Sequence, residues 1–380
     1  MIFLICATCL IAEPIFARVL TVGPNGEFSK PSKAAKASKN GDVIEIDAAG
    51  DYFNDHAKWN KNDLIIRGVN GRPHIKSYKD IKNRKGIWII KGNNIKVSNV
   101  EFSGAKVKSR NGAAIRLLGT NFYLSDCYIH DNENGILTGK NLESEVVIEK
   151  CEFANNGFGK GKTHNIYIGK IKRFTLKNSY SHSAKTGHLV KSRAKRNYIL
   201  YNRLFEKSSS YAIDLPNGGQ TLVLGNIIYQ GQDTKNSAVV SFGAEMKKHR
   251  IKYEINEMIF AYNSVLNEKK PGAFVIVKRD TRAMISNNLF SGPGKVTKGN
   301  GDIRFGVNFN NTKIYREFIA DNIIIADNVL SEVEDKAKHV KDFQGNVVVP
   351  KYQIVNGEMI KRKKLGVEYD IGAIELESLY

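Results

Sequence analysis

The sequence predicts an all-β chain wound as a right-handed parallel β-helix, a solenoid of short strands with a short helix over its N-terminal end. Two observations carry this expectation. First, short apolar runs through the middle of the chain end at similar polar corners: Asn99, Asp126, Lys150, Asn178, Asn202, Asn226, Asn263, Asn288 and Asn328. The steps between them are 27, 24, 28, 24, 24, 37, 25 and 40 residues, and a period in the twenties marks a solenoid. Second, at about 3.3 Å per residue such a coil holds two or three short strands and their turns. Stacked Asn side chains at the turns can then hydrogen-bond from coil to coil. A solenoid lengthens by adding coils, so residues 18–380 are expected as one elongated domain.

Residues 1–17, MIFLICATCLIAEPIFA, are apolar, short and end in Ala17. That fits a secretory signal peptide better than a membrane span, which needs about 20 apolar residues, and it points to a secreted or periplasmic protein. A buried N-terminal strand or cap helix is the alternative. From Arg18 a strand over 19–22 enters the turn Gly23-Pro24-Asn25-Gly26. Ser29 or Ser32 is placed to cap a short helix ending at Ser38, and Asn40-Gly41 then opens a strand over 43–46. The helix would cover the otherwise open apolar end of the first coil. Coils follow at 64–66, 87–90 and 95–97. Two stretches, 243–257 and 291–318, are too long for solenoid turns and are expected as loops on one side, where loops flanking a groove touch substrate. Loss of the leader removes Cys6 and Cys9. It leaves Cys127 and Cys151 on the same rung of adjacent coils, where a disulfide and a stack of buried thiols both fit. No Cys/His spacing of a zinc site is present.

Lys and Arg number 58 against 38 Asp and Glu, a formal net charge of +20. Such a surface favours polyanions, and for a secreted chain the expected partner is an acidic polysaccharide. No helix-turn-helix, zinc finger or aromatic RNA-binding motif appears, so nucleic acid is not expected.

The candidate chemistry concentrates on three polar rungs. His164 and His188 each lie fourteen residues before a corner (Asn178 and Asn202), hence on equivalent rungs. If Ile166, Ile168, Val190 and Ser192 point inward, then Asn165, Tyr167, Leu189, Lys191 and Arg193 point outward, with Tyr167 and Lys191 as vertical neighbours. On the next rung Tyr211, Ile213 and Leu215 inward send Ala212 and Asp214 outward. That is one residue out of step, which calls for a bulge or altered turn near Pro216. Glu245 and Lys278 end the two rungs beyond. The outer face thus gathers Tyr167, Lys191, Arg193, Asp214 and Asn217 within about three rungs, roughly 10 Å. This assortment suits β-elimination of a uronate polymer, in which the carboxylate is neutralised, a base removes the C5 proton, and an acid protonates the leaving O4. Arg193 can grip the carboxylate with its planar fork. Lys191 suits the base if Arg193 and nearby cations repel its proton. Tyr167 or His188 is the acid, or His188 the base instead. Asp214 would orient Lys191 or fix a calcium ion where other acids converge, although no sequence motif marks a calcium site. His164, Asp214, Asn217, Glu245 and Lys278 are the expected substrate contacts. The plainer reading of the same residues is a solvated basic face, a packing tyrosine, two stacked structural histidines and a surface ion pair of little worth.

The opening phrase GPNGEF, followed by a helix and GDVIEI (41–46), and the closing phrase YDIGAIELE (369–377) resemble the pectate-lyase-like β-helix superfamily. More locally, VKSRAKRNYILYNRL (190–204) is similar to the Lys-Ser strand of the chondroitinase B and alginate lyase family, which implies Lys191 as the catalytic lysine. The next coil, IDLPNGGQTLVLGNII (213–228), keeps Gly225-Asn226. It carries Asp214-Leu215-Pro216-Asn217 where that family has Arg-His-Gly. The resemblance implies a polysaccharide lyase, and it extends to C5-epimerases, which share the proton abstraction. A glycoside hydrolase on this fold needs a close carboxylate pair, which the sequence does not display. A non-catalytic adhesin that binds anionic glycans is the remaining alternative.

Overall fold

A computed structural model describes residues 17–246, 253–311, 318–319, 322–323 and 331–375. The leader over 1–17 (apart from Ala17), the corner at Asn328 and the last two residues of the closing phrase lie outside the described residues.

The chain forms a right-handed parallel β-helix of about eleven turns. Three parallel sheets run its length. The first has twelve strands, from Val19–Val22 to Asp302–Phe305. The second has ten, from His74–Lys76 to Phe309–Asn311, and the third has ten, from Ala57–Trp59 to Lys295–Gly299. Each strand pairs with its equivalent one coil away, because three short strands and their corners use up one period of the sequence. Alternate residues such as Ile44, Ile66, Val97, Leu124, Ile148, Phe174, Ile199 and Val223 are fully buried and stack into one continuous core. Trp59, Trp88 and Phe102 meet edge-on inside it.

The polar corner proves to be two adjacent positions. Asn99, Asp126, Lys150 and Asn178 hold the first, in the left-handed region with φ of 45–54°, a conformation short polar side chains tolerate. Tyr201, Gly225, Tyr262 and Asn287 take that position in later coils. Asn202, Asn226, Asn263, Asn288 and Asn308 hold the second position, so the ladder read from the sequence slips by one residue between Asn178 and Asn202. The main-chain N–H of each donates to the amide oxygen of the next at 2.9–3.0 Å. The side-chain NH2 of Asn226 also donates to the Ile199 and Leu224 carbonyls and to Asn263 Oδ1.

Several expectations need correction. The N-terminal helix, Pro31–Ala37, begins at Lys30 without a side-chain cap; Ser32 instead hydrogen-bonds Asp55, and Ser29 accepts from Lys33. Proline in the first turn pre-sets the helical φ and removes a donor that would go unpaired, while Pro31, Ala34 and Ala35 are buried against the first coils. The stretch 291–318 is not a loop through its described part. It makes a further coil from Lys295–Gly299, Asp302–Phe305 and Phe309–Asn311, whose polar exposed strands hid it. Cys127 and Cys151 are free buried thiols, stacked coil on coil. Residues 331–375 fold back on the outside of the solenoid. There Val333, Val340, Ile354 and Ile371 form a second apolar cluster with Tyr201, Leu224, Ile259 and Tyr262. Among the described residues no helix is long and apolar enough to cross a membrane.

Replacing Asn226 by Ala strips the buried Asn202 main-chain N–H and side-chain amide of the oxygen to which both donate. At about 1–3 kcal/mol for each group left unsatisfied, a loss of roughly 2–6 kcal/mol is expected, read as a lower urea midpoint.

Candidate functional site

The third sheet presents one outward residue per coil, and register places Arg116, Leu137, Tyr167, Lys191, Asp214 and Ser241 in a single column. Tyr167 and Lys191 are vertical neighbours, as the alternation predicts. The turn near Pro216 is also where the sequence places it. Lys191 pairs with Asp214 at an offset of 23 residues, whereas Arg196 pairs with Gln220 at 24. The extra residue is taken up at Gly218 and Gly219, both with positive φ; a Cβ on Gly219 would come within 2.8 Å of the Ala194 carbonyl oxygen. Asn165 and Leu189 do not face outward. They precede the strands Ile166–Ile168 and Val190–Ser192, in the corner where alternation fails, and both are fully buried. Leu189 joins the core, and Asn165 hydrogen-bonds Asn156, Ser181 and main-chain carbonyls.

The structure gathers most of the predicted residues into one charged network. Lys191 Nζ lies 2.5 Å from Asp214 Oδ2 and 3.6 Å from Glu245 Oε1, which bounds the separation of those two oxygens at 6.1 Å. Arg193 is held on three sides. Its Nε donates to Tyr167 Oη at 3.0 Å, one terminal nitrogen to Asn217 Oδ1 at 2.5 Å, and the other to Glu245 Oε2 at 2.7 Å. The surroundings expected of Lys191 are corrected: two carboxylates, not cations, surround its nitrogen, and Arg193 is turned to Glu245. The acids converge as a calcium site would require, yet Lys191 Nζ fills the space between them. Lys278 stays outside the cluster, exposed beyond the strand Ala273–Val277.

The two histidines lie beneath this network, stacked at 4.8 Å and 13°. His164 Nδ1 accepts the His188 main-chain N–H at 3.0 Å, so a neutral His164 carries its proton on Nε2. Burial, followed by the His188 and Lys191 charges, drives the His164 pKa well below its usual value. Burial also pushes His188 from 6.5 down to about 3, with Lys191 adding to the effect. His188 Nε2 lies 3.4 Å from Asp214 Oδ2, while its buried Nδ1 has no hydrogen-bond partner. Burial raises the Asp214 pKa, against the pull of Lys191. It also disfavours the Arg193 charge, but Glu245 and Tyr167 outweigh that and hold its pKa above the usual value.

A groove of about 680 Å³ opens beside this network, with Leu137, Tyr167 and Gly169 in its wall. Its charged lining is Arg110, Arg116, Lys140, Lys162, Lys170 and Arg193, with no acid among the described lining residues. Burial and the nearby charges of Lys140 and Arg193 lower the Lys170 pKa. Arg116 is half-buried, its pKa lowered by desolvation, and its Nε has no hydrogen-bond partner. Sequence reasoning missed Arg116, although the alternation of AAIRL over 113–117 sends it outward next to Leu117. It also missed Tyr253, which donates to the Arg193 carbonyl at 2.6 Å. The stretch 243–257 behaves as the expected loop against the groove insofar as it is described: Glu245 at one end and Tyr253 at the other both touch Arg193.

The model of the right-handed beta helix region matches residues 57–226. No curated protein matches the chain. Solved structures similar to it include the following three. ORF18 of Geobacillus virus E2 aligns at 11% identity with a TM-score of 0.43, covering 72% of this chain and 57% of that one; this chain thus spans little more than half of that protein. The GH136 lacto-N-biosidase of Eubacterium ramulus aligns at 13% identity and TM-score 0.48, covering 78% and 68%. The tailspike gp49 of Acinetobacter baumannii bacteriophage Fri1, a capsular polysaccharide depolymerase, aligns at 10% identity and TM-score 0.45, covering 87% and 69%. None of these likenesses bears on substrate.

The buried histidines fix a pH dependence. An unfolded imidazole takes a proton below about pH 6.5, whereas folded His188 does so only near 3, so between these values unfolding binds a proton and stability falls as pH falls. The expected slope is about 1.4 kcal/mol per pH unit for such a group. Urea midpoints between pH 7 and 4.5 should fall more steeply in the wild type than in His188→Gln.

Proposed function

We propose that this protein acts outside the cell or in the periplasm and cleaves an acidic, uronate-containing polysaccharide by β-elimination. The observation that carries this reading is the groove, six cations with no acid among its described lining residues, which ends at the Tyr167–Arg193 pair. A uronate ring seated there meets guanidinium groups from Arg116 and Arg193, and these neutralise its carboxylate and favour loss of the C5 proton. Tyr167 Oη faces the groove and accepts the Arg193 Nε hydrogen bond; acting as the phenolate, it takes that proton and becomes the phenol. The C4–O4 bond then breaks as the C4=C5 double bond forms, and the leaving O4 needs a proton. Lys191 lies one rung on, with two carboxylates beside it, and supplies it as an ammonium. Asp214, Glu245, Asn217 and His188 position Lys191 and Arg193. His188, stacked on His164 with Nε2 3.4 Å from Asp214 Oδ2, acts through Asp214 and not on the sugar.

One observation favours a second reading. Asp214 and Glu245 oxygens no more than 6.1 Å apart fit the spacing of a retaining glycosidase, about 5–5.5 Å, and not the wider inverting pair. In that case the buried Asp214 is the acid and the more exposed Glu245 the nucleophile.

The test is a panel of uronate polysaccharides incubated with the chain, followed by the ultraviolet absorbance of the unsaturated uronate. A rise that falls about 10²–10⁴-fold in Tyr167→Phe is expected, since that is the usual contribution of one proton-transfer group. Reducing ends without absorbance, abolished by Glu245→Gln, would replace elimination by hydrolysis. Binding with neither signal would sink both.

A further inference from the structure

The second sheet carries a separate cluster that the groove does not use. His74, Glu101 and His130 come from three successive coils, on the strands His74–Lys76, Glu101–Ser103 and Tyr128–His130. Ile75, Phe102 and Ile129 point from these strands into the core, so the three polar residues share the outer face. One donor atom from each lies within 4.8 Å of the other two. Glu101 Oε1 is 3.3 Å from His74 Nδ1 and 3.0 Å from His130 Nε2.

The far nitrogen of each ring is already held. His130 Nδ1 lies 2.9 Å from Asp131 Oδ2, and His74 Nε2 lies 2.8 Å from Ser103 Oγ. Outer partners of this kind fix which imidazole nitrogen offers its lone pair to a metal. A neutral imidazole has one N–H. With Asp131 taking it at Nδ1, the His130 Nε2 lone pair faces the Glu101 oxygen, and a cation between them satisfies both. The spacing also fits. Ligand distances of about 2.0–2.2 Å around a tetrahedral ion set donors roughly 3.3–3.6 Å apart. The two contacts to Glu101 are already near that, and small ring rotations close the third. A second Glu–His contact on this sheet, Glu152 with His182 at 3.1 Å, has no comparable third donor among the described residues and serves as the internal contrast.

We propose that His74, Glu101 and His130 bind a first-row divalent transition metal of the zinc type and thereby clamp three coils together. Two imidazoles and one carboxylate select such an ion over calcium or magnesium, which take all-oxygen sites. Three protein ligands leave a position for water. This site lies on a different sheet from the Tyr167 groove and does not depend on any activity there.

The test is calorimetric and thermal-melt titration of the untagged full chain, stripped with a chelator, using Zn²⁺ alone and Ca²⁺ alone. One zinc equivalent that raises the melting temperature is expected, with no effect of calcium. Glu101→Gln and His130→Ala should abolish the shift, and Asp131→Asn should weaken zinc affinity about 10–100-fold while keeping all three ligands. Far-ultraviolet circular dichroism establishes that each variant is folded, and Glu101→Gln preserves the side chain's shape in case His130→Ala does not fold. No zinc-dependent shift in the wild type overturns the proposal, as does a shift that survives in folded Glu101→Gln.

Discussion

The coil-to-coil register is the constraint on which the rest of the molecule depends. Parallel pairing fixes the direction of each strand, but a slip of one residue would turn every core side chain to solvent and every outer one to the core. The asparagine ladder opposes such a slip. Each of Asn202, Asn226, Asn263 and Asn288 is fully buried and bonds both the next asparagine and a main-chain carbonyl of the preceding coil, and the last three also bond a carbonyl of their own coil. These bonds close in one register only, and any other strands buried polar groups at about 1–3 kcal/mol each. Apolar stacking supplies the bulk of the stabilisation. The ladder decides which of several similar stackings is adopted.

With register fixed, residues far apart in the sequence become neighbours at one strand spacing, about 4.8 Å. Tyr167, Lys191 and Asp214 form the candidate site for this reason alone. The single extra residue absorbed at Gly218 and Gly219 lets Asp214 face Lys191 while Asn217 still reaches Arg193. Gathering so many charges under partial cover is expensive, because each ion gives up water that its partners replace only incompletely. A surface that merely needed solubility would leave Lys191 and Arg193 extended into solvent. Here both are nearly buried, each shared with Glu245, which ties the loop over 243–246 to the rung below. Preorganisation of this kind is what a reaction with developing charge requires.

Much of this was legible in the sequence where one period governs, and little where it does not. The solenoid, the Tyr167–Lys191 pairing, the stacked His164 and His188 and the altered turn near Pro216 all follow from counting residues between corners. Asn165 and Leu189 were misplaced because alternation holds within strands and lapses at corners. The coil over 295–311 escaped because its strands are polar: at the end of a solenoid there is less core to face, and the apolar signal thins. Neither Arg116 nor the His74–Glu101–His130 cluster has a local signature. Glu101 lies 27 residues from His74 and 29 from His130, so only the coil period makes them neighbours, and no metal-binding spacing within one turn or helix announces them.

The net charge of +20 acquires a location once ion pairs are assigned. On the first sheet Arg67 faces Glu45, Lys172 and Arg173 face Glu145, Lys177 faces Glu149, and Arg282 faces Glu257. These cations are compensated by acids one coil away and leave little field beyond a Debye length of about 8–10 Å. The groove on the third sheet departs from this pattern in part: Arg193 is paired with Glu245, but burial, with the charges of Lys140 and Arg193 adding to it, weakens the hold of Lys170 on its proton, and the half-buried Arg116 keeps an unpartnered donor. Like charges held together by a fixed backbone store repulsion that the fold does not need for its own stability. A neutral glycan would leave that repulsion in place. A polymer bearing a carboxylate on successive sugars would relieve it at each subsite and supply the acceptor that Arg116 lacks. Under the proposed function a polyanion relieves that repulsion, so groove occupancy is expected to be sensitive to ionic strength in a way that packing on the first sheet is not.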